Sequence, residues 1–278
     1  MSTVGSINTN DAAMVALESL NTTSSQIQET EGEISTGYRV SNAQQDGAAF
    51  AVAQRVRSDV GALTTANQQL GNVQGLLDTT VNGLTEVSDQ VNTLRSTLTN
   101  MADSTGTQKT QYLAQYNSEL TQLQTYFQDS TYNGQTLVGN IGGTAGFGNV
   151  VVVRNEVGST YSVGTFSGSA FAASLALTTT TATAAQALLT SGGLFIQKLN
   201  LINTELNAYG AAQNYVDNQI TFNNDKIDSL NSGLGSLIDA NLAQESAQLT
   251  ALQTKQQLGV QALSLANQAP STLLSLFR

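Results

Sequence analysis

The stretch LGNVQGLLDTTVNGLTEVSDQVNTLRSTLTNM, residues 70–101, places Leu70, Val73, Leu77, Thr80, Leu84, Val87, Val91, Leu94, Leu98 and Met101 at successive steps of three or four. Such alternation is one face of a helix, patterned to meet partner helices as a coiled-coil seam. It predicts a long helix from about Ala43 to Met101, a break at Asp103–Gly106, and a shorter amphipathic helix carrying Leu113, Tyr116, Leu120, Leu123 and Phe127. A second long seam runs Leu199, Ile202, Leu206, Tyr209, Gln213, Val216, Ile220, Asn223, Ile227, Leu230, Leu234, Leu237. It predicts a helix returning along the first, loosened near its end by Gly233 and Gly235.

Two further seams lie against the chain ends. The first is Met14, Leu17, Leu20, Ser24, Ile27, Glu31, Ile34, and the second is Ile238, Leu242, Glu245, Leu249, Leu252, Gln256, Gly259, Leu263, Ala266. If the chain goes out and returns, these two segments meet side by side. Ser24, Glu31, Glu245, Gln256 and Gly259 interrupt them, so apolar burial barely offsets the entropy of ordering such long segments. Contacts with neighbouring copies would tip the balance, which makes folding of the ends conditional on polymerisation. Pro270, the single proline, is expected to kink or interrupt the last helix.

Between the helical halves, residues 133–193 are rich in glycine and β-branched residues and poor in charge. Asn133-Gly134 is a tight-turn signal. Val150–Arg154, then Asn155-Glu156-Val157-Gly158, then Thr160–Phe166 reads as strand, turn and strand. The expected fold is mainly α: a long antiparallel coiled-coil rod with both termini at one end and a small β-rich outer segment at the other. Its expected parts are a terminal inner-core domain (1–42 and 236–278), a helical rod domain (43–139 and 188–235) and an outward-facing β-rich segment (140–187).

Composition narrows the function. The 278 residues include no Cys, no His and no Trp, with 10 basic against 20 acidic side chains. Without imidazole or thiol, nucleophilic triads and nearly all zinc sites are ruled out, so neither a catalytic residue nor a cofactor nor a metal is expected. A net charge of −10 repels phosphate-rich partners, so nucleic-acid binding is not expected. Residues 1–10 lack the basic cluster and apolar core of a cleaved signal, and no apolar run approaches a membrane span. Asp225 with Asp228, and Glu29, Glu31 and Glu33, read as solvated helix faces rather than metal ligands.

The runs Ser6-Ile7-Asn8-Thr9-Asn10, Ile34-Ser35-Thr36-Gly37-Tyr38-Arg39-Val40, Asp46-Gly47-Ala48-Ala49 and Tyr132-Asn133-Gly134 resemble bacterial flagellin. So do Asp239-Ala240-Asn241-Leu242-Ala243-Gln244-Glu245-Ser246, Gln256 to Leu263 and the final Leu276-Phe277-Arg278, in a manner nearest the alphaproteobacterial type with a short outer domain. The resemblance implies a structural subunit of the extracellular flagellar filament, exported by the flagellar type III pathway without a cleaved signal peptide. It also implies partners: other flagellin subunits, an export chaperone on the C-terminal helix, and filament cap and hook-associated junction proteins. No membrane insertion is expected.

From the seams and the resemblance, the self-assembly interface is expected at Ile7, Met14, Leu17, Leu20, Ile27, Ile34, Ile238, Leu242, Leu249, Leu252, Leu263, Leu274 and Phe277. Thr178, Thr179, Thr180 and Thr181 are candidates for O-glycosylation, although a capping or strand-edge threonine run is the plainer explanation. Two other functions compete. A hook–filament junction protein shares such ends, and a surface adhesin or ligand-binding protein could use a flagellin frame. A third variant, a zinc peptidase in the outer region, needs His-Glu-x-x-His, which a chain without histidine cannot supply.

Overall fold

The structure is a computed structural model that describes residues 10–143, 146–177, 182–190 and 193–276, with side chains described except at 182–184 and 269–276. Along the chain run α1 (Asp11–Thr36), α2 (Gly47–Asp103), α3 (Gly106–Asp129), β1 (Val150–Val153), β2 (Thr160–Val163), α4 (Gly168–Leu175), α5 (Ala182–Leu189), α6 (Leu194–Ile238) and α7 (Leu242–Leu276). The fold is therefore mainly α with a small two-stranded sheet. It divides into two compact units, one of residues 1–58 with 229–278 and the other of residues 59–228.

In the unit of residues 59–228, all ten positions of the 70–101 seam are buried, and Thr80 alone among them is polar. Its hydroxyl costs little there because it donates to the Leu76 carbonyl at 2.8 Å. Tyr116, Leu120, Leu123 and Phe127 of α3 close on this stripe, and Ile202, Tyr209 and Val216 of α6 join the same core. The buried Tyr116 hydroxyl donates to the Leu175 carbonyl at 2.6 Å, and burial pushes that phenol's pKa up. Helices α2 and α6 run antiparallel in register: Asn67 meets Asn223 and Asn224, Gln74 meets Asp217, and Asp78 meets Gln213. Asn223 is fully buried yet satisfied, donating to Asn67 Oδ1 and the Arg154 carbonyl.

The predicted Asn133-Gly134 turn is present. Tyr132 and Gln135 exchange backbone hydrogen bonds of 2.9 Å across it, with φ of 49° and 75° at the two central residues. Positive φ at both is what Asn-Gly accommodates. The predicted hairpin forms as β1 and β2, antiparallel, with Val150 opposite Val163 and Val153 opposite Thr160. Its inner side is pinned to α6 by Tyr161 stacked on Tyr215 at 4.1 Å between ring centroids, and by Arg154 Nη1 donating to Tyr215 Oη. The surrounding segment also holds α4 and α5, which the reading of residues 140–187 as β-rich did not place. Helix α4 follows from Ser167, whose hydroxyl caps Ala170 N, and from Phe171, Ala172 and Leu175, which bury one face at helical spacing.

In the unit of residues 1–58 and 229–278, Val40, Ala49, Ala53 and Ile238 form a small core with Phe50, Leu234 and Leu237 around it. Helix α2 starts at Gly47, four residues later than expected, because the Asp46 carboxylate caps Ala48 N and Ala49 N. Helix α1 ends at Gly37, whose left-handed φ of 74° lets its N–H reach the Glu33 carbonyl at 2.8 Å. Beyond it, Arg39 N donates to Ile238 O and Ala240 N to Gly37 O, which ties the α1–α2 link to the α6–α7 link.

One expectation fails, and of the kink or interruption expected at Pro270 the interruption is not found. Gly233 and Gly235 do not loosen α6, which continues to Ile238; flanking Leu234 and Leu237 pack on the small core and outweigh the glycine penalty of about 1 kcal/mol each. Pro270 does not interrupt α7, which continues to Leu276. Proline removes the N–H that would bond the carbonyl four residues back, at Ala266. Here that carbonyl accepts from Asn10 Nδ2 at 2.8 Å, so the gap is filled from α1.

Candidate self-assembly surface

Helices α1 and α7 form an antiparallel pair: Asn10 reaches Ala266 and Leu20 lies against Gly259. Asn10 begins the pair with two roles, its Oδ1 accepting from Ala13 N at 3.2 Å as the N-cap while its Nδ2 holds the Ala266 carbonyl. On α7, the predicted stripe holds from Glu245 onward. Glu245 and Leu252 are buried, and Leu249, Gln256, Gly259, Leu263 and Ala266 are half-buried.

On α1 the stripe is rotated from its expected register. The residues turned toward α7 are Ala13, Ala16, Leu20, Thr23, Ile27, Thr30 and Ile34. Met14 and Leu17, expected at the seam, are 64% and 47% exposed, and Leu242 on α7 is 50% exposed. Counting only large apolar residues selected Met14 and Leu17. The packed positions that the expected seam lacked, Ala13, Ala16, Thr23 and Thr30, are instead small or β-branched, which lets the helices approach, and the Thr23 hydroxyl is satisfied by the Ser19 carbonyl at 2.8 Å.

The expected interface residues thus separate into two sets. Ile27, Ile34, Leu249, Leu252 and Leu263 are turned into the α1–α7 pair, Leu20 lies against Gly259, and Ile238 is buried in the small core. Met14, Leu17 and Leu242 stand outside it, joined by Val15, Leu258, Val260 and Leu265, which are each more than half exposed and which the seam reading did not select. Their common signal, an apolar residue off the intrachain seam, becomes legible only once that seam is fixed. Ile7, Phe277 and Thr178 to Thr181 lie outside the described residues, as does the side chain of Leu274.

Comparison with known proteins accounts for both helical halves. The family model described as the bacterial flagellin N-terminal helical region matches residues 7–142, and the one for the C-terminal helical region matches residues 195–277. Over 99% of this chain and 99% of the relative, it is 34% identical to flagellin FljK and 33% identical to flagellin FljO, both of Caulobacter vibrioides. It is 30% identical to a flagellin of Brucella melitensis over 99% of this chain and 100% of that one. The fold is similar to the crystal structure of Bacillus cereus flagellin, with a TM-score of 0.50 and 14% identity over 56% of this chain and 88% of that chain. With two helical regions matched and relatives aligned end to end, the chain belongs to the bacterial flagellin family, of the alphaproteobacterial type, whose members are structural subunits of the flagellar filament.

Proposed function

We propose that this flagellin polymerises through the outer faces of the α1–α7 pair, and that the pair keeps lasting shape only when neighbouring copies cover those faces. One observation carries the reading: Met14, Val15, Leu17, Leu258, Val260 and Leu265 leave a band of large apolar side chains uncovered on two slender helices. A soluble chain rarely tolerates such a patch without a partner. The pair itself is weak, since Thr23, Thr30 and Glu245 occupy buried positions that leucines would fill in a strong coiled coil. An identical patch presented to a different patch on the next copy does not close, and it generates an open helical polymer.

The finer reading follows the same logic. Residues 1–42 and 236–278 act as the inner assembly domain, residues 43–139 and 188–235 surround it, and residues 140–187 face outward, where Thr178 to Thr181 are the place for O-linked sugar. The exposed apolar band of α7 suits an export chaperone before assembly and subunits after it, and the chain ends also meet the cap and hook-associated junction proteins. Export is by the flagellar type III route, and the role is structural rather than enzymatic. The absence of cysteine and the single proline suit that passage, because no crosslink or slow prolyl isomerisation delays folding at the growing tip.

Electron microscopy tests the reading. The full chain, heated to dissociate and then cooled, should give long filaments, and the chain lacking Met1–Gly37 and Gly259–Arg278 should give a folded helical monomer and none. Normal filaments from the truncated form would refute it. Failure of the full chain to form long filaments, with junction-like binding to preformed ends, would favour the hook–filament junction role.

A further inference from the structure

Helix α7 carries a second stripe of three-four spacing beside the one it turns toward α1. Ala251, Lys255, Leu258, Ala262 and Leu265 follow one another at steps of four, three, four and three, and all five are exposed, Leu265 to 71%. Each stands one position before a residue turned into the pair, namely Leu252, Gln256, Gly259, Leu263 and Ala266. The stripe therefore lies about 100° round the helix from the intrachain seam. Such spacing is patterned to meet a further helix. On α1, an open groove of about 690 Å³ runs along Asp11, Met14, Val15, Leu17 and Glu18 and on to Ser25, and none of these residues is among those turned toward α7.

We infer that the exposed stripe of α7 docks into the α1 groove of a second copy, with Lys255 meeting the carboxylates of Asp11 and Glu18. The inference rests on assembly through the outer faces of the α1–α7 pair, and it names which face meets which. Charge selects the occupant. All the charged residues of α1 are acidic, whereas Lys255 is the single charged residue of α7 after Glu245. Among the described residues, none of Asp11, Glu18 and Lys255 has an ion-pair partner within the chain. Two stripes brought together would set lysine against lysine, and two grooves carboxylate against carboxylate, so like faces repel and unlike faces attract. Length agrees as well: groove (11–25) and stripe (251–265) each span fourteen residue steps, about 21 Å of helix. Laid parallel or antiparallel, they bring Leu258 to Glu18 at their midpoints and Lys255 to within about one turn of Glu18. Because stripe and groove are different surfaces, each docked copy leaves one of them open for the next, and the contact propagates.

Charge reversal in full-length chains tests the contact, read as the critical concentration for polymerisation. Glu18→Lys and Lys255→Glu should each raise it about tenfold or more, because like charges then meet at the contact. An equimolar mixture of the two variants should polymerise near the wild-type concentration, since each groove finds an opposite stripe on the other variant. Neither misfolding nor a contact within one chain would reproduce that rescue. The absence of cysteine gives a second reading. In filaments made from a mixture of Leu17→Cys and Leu258→Cys chains, oxidation should yield disulfide-linked dimers of the two, and filaments of either variant alone should yield none. Single charge variants that polymerise like the wild type, a mixture no better than its components, or mixed filaments without that crosslink would each overturn the inference. The chain lacking Met1–Gly37 and Gly259–Arg278 separates this failure from failure of the assembly reading. If it forms no filaments while both charge variants polymerise normally, assembly through the pair stands and this contact falls.

Discussion

Asn10 makes the sharpest prediction, because one side chain both starts α1 and repairs the gap that Pro270 leaves in α7. Replacing Asn10 with Ala removes the N-cap bond to Ala13 N and the donor to Ala266 O. The first loss costs about 1 kcal/mol and the second about 1 kcal/mol. Together they weaken the closed α1–α7 end by about 2 kcal/mol, or about 30-fold in its opening equilibrium. Asn10→Asp separates the two roles, since a carboxylate still caps Ala13 but cannot donate to Ala266, and should cost about 1 kcal/mol. In a Pro270→Ala background, residue 270 regains an N–H and the Ala266 carbonyl no longer needs Asn10. The same Asn10→Asp change should then cost less by at least about 0.5 kcal/mol, a coupling resolvable in a double-mutant cycle. Amide exchange of Ala13 and Met14 in the four full-length chains is the assay. An equal Asn10→Asp cost in both backgrounds would show that the 2.8 Å bond does not compensate for the proline, and the explanation for an unbroken α7 would be wrong.

Further tests address packing and charge. A Cβ at Gly259 would sit 3.4 Å from Leu20 Cδ1, an ordinary contact, so Gly259→Ala should tighten the α1–α7 pair by up to about 1 kcal/mol through helix propensity, read as slower amide exchange there. Gly259→Leu has no such room and should loosen it. At Gly83 an added Cβ would fall 1.8 Å from Ser130 Oγ, which is held by its 2.6 Å bond to the Tyr126 carbonyl, so Gly83→Ala should destabilise the unit of residues 59–228 by about 1–3 kcal/mol in chemical denaturation. Combining it with Ser130→Ala should recover part of that loss. Glu156 is held below the ordinary carboxylate value chiefly by its hydrogen bond to Lys226. Its contribution is present above the unfolded value and is lost as pH falls through the folded one, so thermal melts at falling pH should show Lys226→Met with a shallower acid loss than the wild type.

The pairing of Glu156 with Lys226 separates what can be read from composition from what cannot. The two are 70 residues apart in sequence, and only the fold brings them together. In the sequence, Glu33 stood in an acidic run that reads as a solvated face, and Glu245 was one polar interruption in a weak seam; in the structure Glu245 is buried. The hairpin was legible for the opposite reason, since a strand-turn-strand pattern with Asn155 and Gly158 is local. Helices α4 and α5 escaped because short helices of Ala, Ser and Thr carry little periodic signal, and their formation depends on the core that Phe171 and Leu175 enter.

By itself the sequence determined the long helices, their main buried faces, the Asn133-Gly134 turn, the family, and a chemistry without thiol or imidazole. These rest on local periodicity, on turn residues and on what is absent, none of which needs a third dimension. Tertiary structure decided the register of α1 on α7, and with it which apolar residues are spent inside the chain and which remain for a neighbour. A helix with residues of mixed size has several acceptable stripes, and only the partner's shape selects among them. Here Ala13, Ala16, Thr23 and Thr30 fit against α7, and Met14 and Leu17 are turned outward as a consequence.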